Sequence, residues 1–240
     1  GRNKESWSID FIVIQGDTGV DEAPWNELAK VINKKYPTES GAMLDIRQIA
    51  VDSGNQTQIV YNWVRNTNDS RVIAIKGVDN KSAMNVVMVA KPREVDITHN
   101  GKRIYRGIKF WPVHVSLVKD ELYSFLRRKK KKDEDVYPPG YCHYPDAYDK
   151  EHFRQLCAEQ KVARVIGGRS ILQWQKIYER NEALDCRVYA RAAAFILGID
   201  RFEDEHWFEL ENYIANYHHN DSSGYNKNGD DIKIVKTNWL

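Results

Sequence analysis

Two short apolar runs on either side of an amphipathic helical pattern constrain this chain more than any other feature. Residues 44–51 (LDIRQIAV) and 71–75 (RVIAI) have strand character, and residues 56–65 between them have helical spacing. A strand, a helix and a second strand at these lengths predict a βαβ unit with parallel strands. The C-terminal ends of both strands then lie on one sheet edge, where open α/β sheets bind ligands. The first strand runs into Asp52, followed by Ser53-Gly54, and the second closes on Lys76-Gly77. Asp52 is either a cap for the following helix or a carboxylate placed for chemistry. Lys76 is either a solvated strand end or a cation for a phosphate or an attacking water.

The remaining segments extend this pattern. Residues 6–15 (SWSIDFIVIQ) alternate and then run apolar, as a buried strand would, and the turn at residues 16–19 lacks a P-loop lysine. Pro24 opens a helix through Lys35, with Trp25, Leu28, Ala29 and Ile32 on one face, and residues 37–41 form a loop. Residues 85–90 and 102–115 are strand-like, with Asn100-Gly101 as the turn between them, and Pro112 argues for an edge or a bulge. Residues 117–127 form a helix, residues 137–145 (YPPGYCHYP) a short strand, and residues 148–161 a helical segment. Gly167-Gly168 makes a turn, and residues 172–178 are a strand or a short helix.

Residues 180–197 (RNEALDCRVYARAAAFIL) read as one helix, with Asn181 at its cap position and Gly198 as its stop. Asp185 falls in the first turns, where the helix dipole favours a carboxylate and where a cation or metal would equally meet it. Glu182, three residues earlier, shares that side of the helix. Residues 201–217 give an acidic amphipathic helix. Residues 220–231 are polar and read as mobile, and residues 232–240 read as a strand or tail.

Composition narrows the function classes. The chain has 240 residues, 42% of them hydrophobic, with a mean hydropathy of −0.64. It carries no apolar run long enough to span a membrane and no secretory signal. Three cysteines without zinc-like spacing fit reduced thiols in a cytoplasmic setting. Net charge is only +2, but Arg127, Arg128, Lys129, Lys130, Lys131 and Lys132 form one block, followed by Asp133-Glu134-Asp135. Such a block makes a solvated loop and also suits phosphate contacts. His143, among aromatics, is a packed or hydrogen-bonded residue or a metal ligand.

Three blocks in order resemble the C-terminal nuclease domain of the large terminase subunit of lambda-type tailed phages. They are IAVDSGNQTQIVY around Asp52, RVIAIKG around Lys76, and YPPGYCHYP with RNEALDCRVYARAA around Asp185. The resemblance covers residues 5–199. It implies an α/β, ribonuclease H-like mixed sheet flanked by helices over residues 1–199, with a C-terminal polar extension at 200–240. It also implies a Mg2+- or Mn2+-dependent endodeoxyribonuclease with two divalent metal ions, held by Asp52 and Asp185, with Lys76 in the catalytic group. Glu182 and His143 are outer-shell candidates, and the basic block is a DNA-binding candidate. The family's first metal-binding aspartate, on a strand ahead of Glu5-Ser6-Trp7, has no match here; Asp10 is not its equivalent. The metal site expected of this fragment is therefore incomplete. The implied partners are double-stranded DNA, a terminase ATPase domain, a small terminase subunit and a portal, in the host bacterial cytoplasm. Two other readings remain: a non-catalytic DNA- or protein-binding fragment, and another ribonuclease H-like nuclease such as a resolvase.

Overall fold

A computed structural model describes residues 1–78 and 87–216. In chain order it contains β1 (Ser6–Trp7), α1 (Ala23–Ile32), β2 (Lys35–Pro37), β3 (Met43–Asp45), β4 (Ile49–Asp52), α2 (Thr57–Thr67), β5 (Val72–Val78), β6 (Arg93–His99) and β7 (Lys102–His114). There follow α3 (Val115–Leu126), β8 (Cys142–His143), α4 (Lys150–Leu156), β9 (Glu159–Ile166), β10 (Arg169–Lys176), α5 (Glu182–Leu197) and α6 (Asp204–Ala215). The chain divides into two units, residues 1–34 with 45–202 and residues 35–44 with 203–240. In the second, the Ser40 hydroxyl donates to the Ile214 carbonyl at 2.6 Å. A capping box between Glu203 and His206 starts α6.

The larger unit is built on a four-stranded mixed sheet in the order β4-β5-β7-β6. β4, β5 and β7 run parallel, and β6 returns antiparallel to β7. The expected βαβ unit is β4-α2-β5, with Asp52 in register with Ile75. Strand alternation gives the sheet two apolar faces. Val72, Ala74 and Ile97 pack with Val60, Tyr61 and Val64 of α2 and Ile32 of α1. Ile75 and Val113 pack on the other face with Val118 and Leu122 of α3 and Leu184, Val188 and Ala192 of α5. Burying a leucine or valine of this kind contributes about 1.5–3 kcal/mol. α5 lies close because its buried face is small, with Ala183, Ala192 and Ala193 beside Leu184 and Val188.

Several expected elements differ. Residues 6–15 are not one buried strand: β1 spans two residues and pairs with β8, while Ile9, Ile12 and Val13 are exposed. The apolar run at 44–51 splits into β3 and β4, and Pro37 ends a strand rather than opening a loop. β5 continues through Lys76-Gly77 to Val78 instead of closing there. The partner of β7 across Asn100-Gly101 is β6, whose alternating charges hide a strand buried on one side at Val95 and Ile97. Pro112 lies in an interior strand, beyond the last β6 pair at Arg93 and Phe110, so its missing N–H breaks no β6 bond. The helical segment from residue 148 ends at Leu156, and Glu159 begins the hairpin β9-β10. Residues 79–86 and 217–240 lie outside the described residues, with them the tail expectations and the first two residues of the run at 85–90; its described residues 87–90 form no strand, only an isolated bridge from Val89 to Val113. No described helix is long and apolar enough to cross a membrane.

Candidate active site

β4 ends on Asp52 and the chain turns at once. Ser53 is fully buried, and both its N–H and its hydroxyl donate to the Ile75 carbonyl at 2.8 Å. Thr57 Oγ1 donates in turn to the Ser53 carbonyl at 2.7 Å. With Ser53 pinned, Asp52 projects from a fixed strand end into solvent. The Gly54 N–H donates to Asp52 Oδ1 at 2.9 Å, a local turn rather than a helix cap, since Gln56 occupies the cap position of α2.

α5 supplies the second acid. Burial of Leu184, Val188 and Ala192 against the sheet fixes the rotation of the helix. Asp185 and Tyr189, four residues apart, then share a face. The Tyr189 phenol lies in the field of the Asp52 and Asp185 carboxylates. A Cβ at Gly77 would sit 3.0 Å from the Tyr189 oxygen, so the missing side chain in β5 is what lets α5 approach. The Asp185 carboxyl is half-buried and held above the usual carboxylate range. Burial is the main cause; the Glu159 and Asp52 carboxylates add to it, and the Lys119 and Lys176 ammonium groups oppose it. Burial, then the charges of Asp52 and Asp185, likewise push the Tyr189 phenol up.

The remaining candidates separate. Alternation along β5 puts Lys76 on the face of Val72 and Ala74, against α2, while Asp52 shares the α5 face with Ile75 and Gly77. Among the described residues, the lysines in the field of Asp185 are Lys119 and Lys176. Glu182 is exposed, with Arg180 at 3.4 Å. His143 stacks on Trp7, meets Tyr137 and Tyr141 edge-on, and has Nε2 2.6 Å from Glu5 Oε1. Arg127 through Lys132 follow α3 and are exposed; the Lys130 ammonium lies 4.8 Å from the centre of the Tyr137 ring. Among the described residues, no group of three or more His, Cys, Asp or Glu side chains is arranged to hold a metal.

Four further residues belong to this site: Lys119, Glu159, Asn181 and Tyr189. Lys119, on α3, places Nζ 2.7 Å from both carboxylate oxygens of Glu159, at the start of β9. Asn181 donates through Nδ2 to Glu159 at 3.3 Å and to Asp185 at 3.1 Å. The Gly167-Gly168 turn between two eight-residue runs was a hairpin signal that would have put Glu159 in a strand. The i, i+4 spacing from Asp185 pointed to Tyr189.

The family model described as terminase large subunit gpA, endonuclease domain, matches residues 1–207. The chain is 32% identical over 231 residues to the large terminase subunit of Escherichia phage lambda, covering 95% of this chain and 33% of that one. It is 29% identical over 193 residues to the large terminase subunit of Enterobacteria phage P21, covering 79% of this chain and 28% of that one. The chain thus spans about a third of the length of these relatives. No solved structure matches it.

Proposed function

The chain belongs to the family of terminase large subunit endonuclease domains, and from that premise we propose that it cuts double-stranded DNA by metal-dependent phosphodiester hydrolysis at Asp52 and Asp185. One observation carries the reading: a strand-end acid and a helix acid are brought together, with burial and neighbouring carboxylates holding Asp185 above its usual range. Clustered acids that repel one another lose that repulsion when a divalent cation joins them. The donor set fits such an ion, because magnesium takes oxygen ligands and is held by one or two carboxylates with water and phosphate completing its shell. Mg2+ or Mn2+, as two ions in the full site, would supply charge stabilisation and an activated water for in-line displacement.

The chain's own residues do the rest. Asp52 and Asp185 would hold the cations. Tyr189 lies beside both acids, and Ser53 keeps the strand end from shifting. The exposed block from Arg127 to Lys132 neutralises phosphates along the duplex without reading its sequence. The sheet is of ribonuclease H-like type in this reading, and concatemeric phage DNA is the substrate, cut in the cytoplasm of the bacterial host. An ATPase domain, a small terminase subunit and a portal are the partners.

Nicking of supercoiled plasmid with Mn2+ tests the reading. Asp185→Asn is expected to abolish cleavage and keep the fold, judged by circular dichroism. Full activity in that variant sinks the assignment. Failure of the unaltered chain to bind Mn2+ at millimolar concentration, or to cut, favours a non-catalytic binding fragment instead.

A further inference from the structure

We propose that Lys119, Glu159 and Asn181 form a relay that positions the Asp185 carboxylate for a divalent cation, so that Glu159 acts as an anchor and not as a third ligand. The inference rests on the reading of Asp185 as a cation ligand. It starts from an ion pair in an unusual place. The Lys119 and Glu159 side chains are each 9% exposed, and Nζ reaches both carboxylate oxygens at 2.7 Å. Two charges so far from water persist only when each satisfies the other. Both oxygens of Glu159 are thereby committed to a cation the protein already carries. Tyr123 accepts from the Glu159 N–H at 3.2 Å, which fixes the backbone beneath the carboxylate.

Asn181 connects this anchor to the site. It stands at the N-cap of α5, where an asparagine side chain ordinarily accepts from the first-turn N–H groups. Here it makes no such bond. Its amide nitrogen donates instead to Glu159 Oε1 at 3.3 Å and to Asp185 Oδ2 at 3.1 Å. An amide nitrogen carries two hydrogens, one for each acid. One Asp185 oxygen is thus held from α3 through β9. Bound this way, Lys119 stays with Glu159 and does not turn to Asp185, where it would compete with a metal.

The test uses Asn181→Ser, because serine is a favoured N-cap and cannot span to both carboxylates. Without metal, the melting temperature of this variant is expected to match that of the unaltered chain. The Mn2+ concentration giving half of the metal-induced thermal shift is expected to rise about tenfold, the loss of roughly one hydrogen bond to a charged group. Glu159→Gln frees the Lys119 ammonium toward Asp185 and is expected to raise the same midpoint, with isothermal titration of Mn2+ as a second readout. An unchanged midpoint in Asn181→Ser overturns the relay while leaving the Asp185 reading intact, provided Asp185→Asn removes the thermal shift. No Mn2+ response in the unaltered chain overturns both.

Discussion

At the C-terminal half of α5, Arg191 is 10% exposed and fully answered: it meets Glu121 Oε2 at 2.7 Å and Asp200 Oδ2 at 2.7 Å. At the first turn of the same helix, Asp185 is half-buried, receives one amide bond, and faces two other carboxylates. Both charges are drawn under cover by the same apolar stripe. Among the described residues the first is compensated, whereas around the second three carboxylates face the two ammonium groups of Lys119 and Lys176. A buried ion pair with its partners present holds structure together, whereas uncompensated acids make affinity for something else. The difference separates the stabilising end of the helix from the end proposed to bind.

The largest effect expected from breaking this contrast is at the compensated end. Arg191→Met leaves Asp200 without its cation and Glu121 with Lys4 alone, and should cost about 3–5 kcal/mol in urea unfolding. The pH dependence has a definite sign. Despite burial, the Arg191 and Lys4 contacts hold the Glu121 carboxyl below its usual 4.5. Its contribution is therefore complete above that value and is lost as pH falls through the lower folded one. Arg191→Met should flatten that acid limb.

Gly77→Ala comes next, at about 1–3 kcal/mol, because the added methyl meets Tyr189 and Val115 at 3.0 Å. Asp185→Asn is expected to act in the opposite direction in metal-free protein. The folded value of Asp185 is raised above 3.8, so its contribution is complete below that pH and is lost as pH rises through the folded value. At neutral pH the asparagine variant should melt higher than the parent, and added Mn2+ should reverse the order. A lower melting temperature for the variant without metal would erase the contrast between the two helix ends. The smallest effect is at Lys76. Lys76→Met, on the α2 face, should leave the Mn2+ thermal shift unchanged.

The elements that read clearly were those whose pattern is local. β4-α2-β5 shows itself because both strands are apolar runs and the helix between has a spaced apolar face. Position left Asp52 and Asp185 open between capping and chemistry, and the resemblance singled them out. β6 and β9 were missed for one reason: Arg93–His99 and Glu159–Ile166 interleave charges with apolar residues, so neither resembles a buried strand. Lys76 was grouped with Asp52 because strand ends were compared, when the parity of residues along β5 decides the face. The Lys119–Glu159 pair bridges forty positions of chain, and no spacing rule announces it.

The start of α5 has a consequence for the order in which the protein assembles. With Asn181 diverted, a first-turn amide is met from elsewhere: the Ala183 N–H donates to Gln155 Oε1 of α4 at 3.4 Å, across twenty-eight positions. A helix end stabilised by distant residues gains that stability only after those residues have docked. The turn carrying Asp185 is therefore expected to close after α4 has docked and to open ahead of the rest of the helix. Its amide hydrogens should exchange faster than those around Val188 and Ala192, which the core protects.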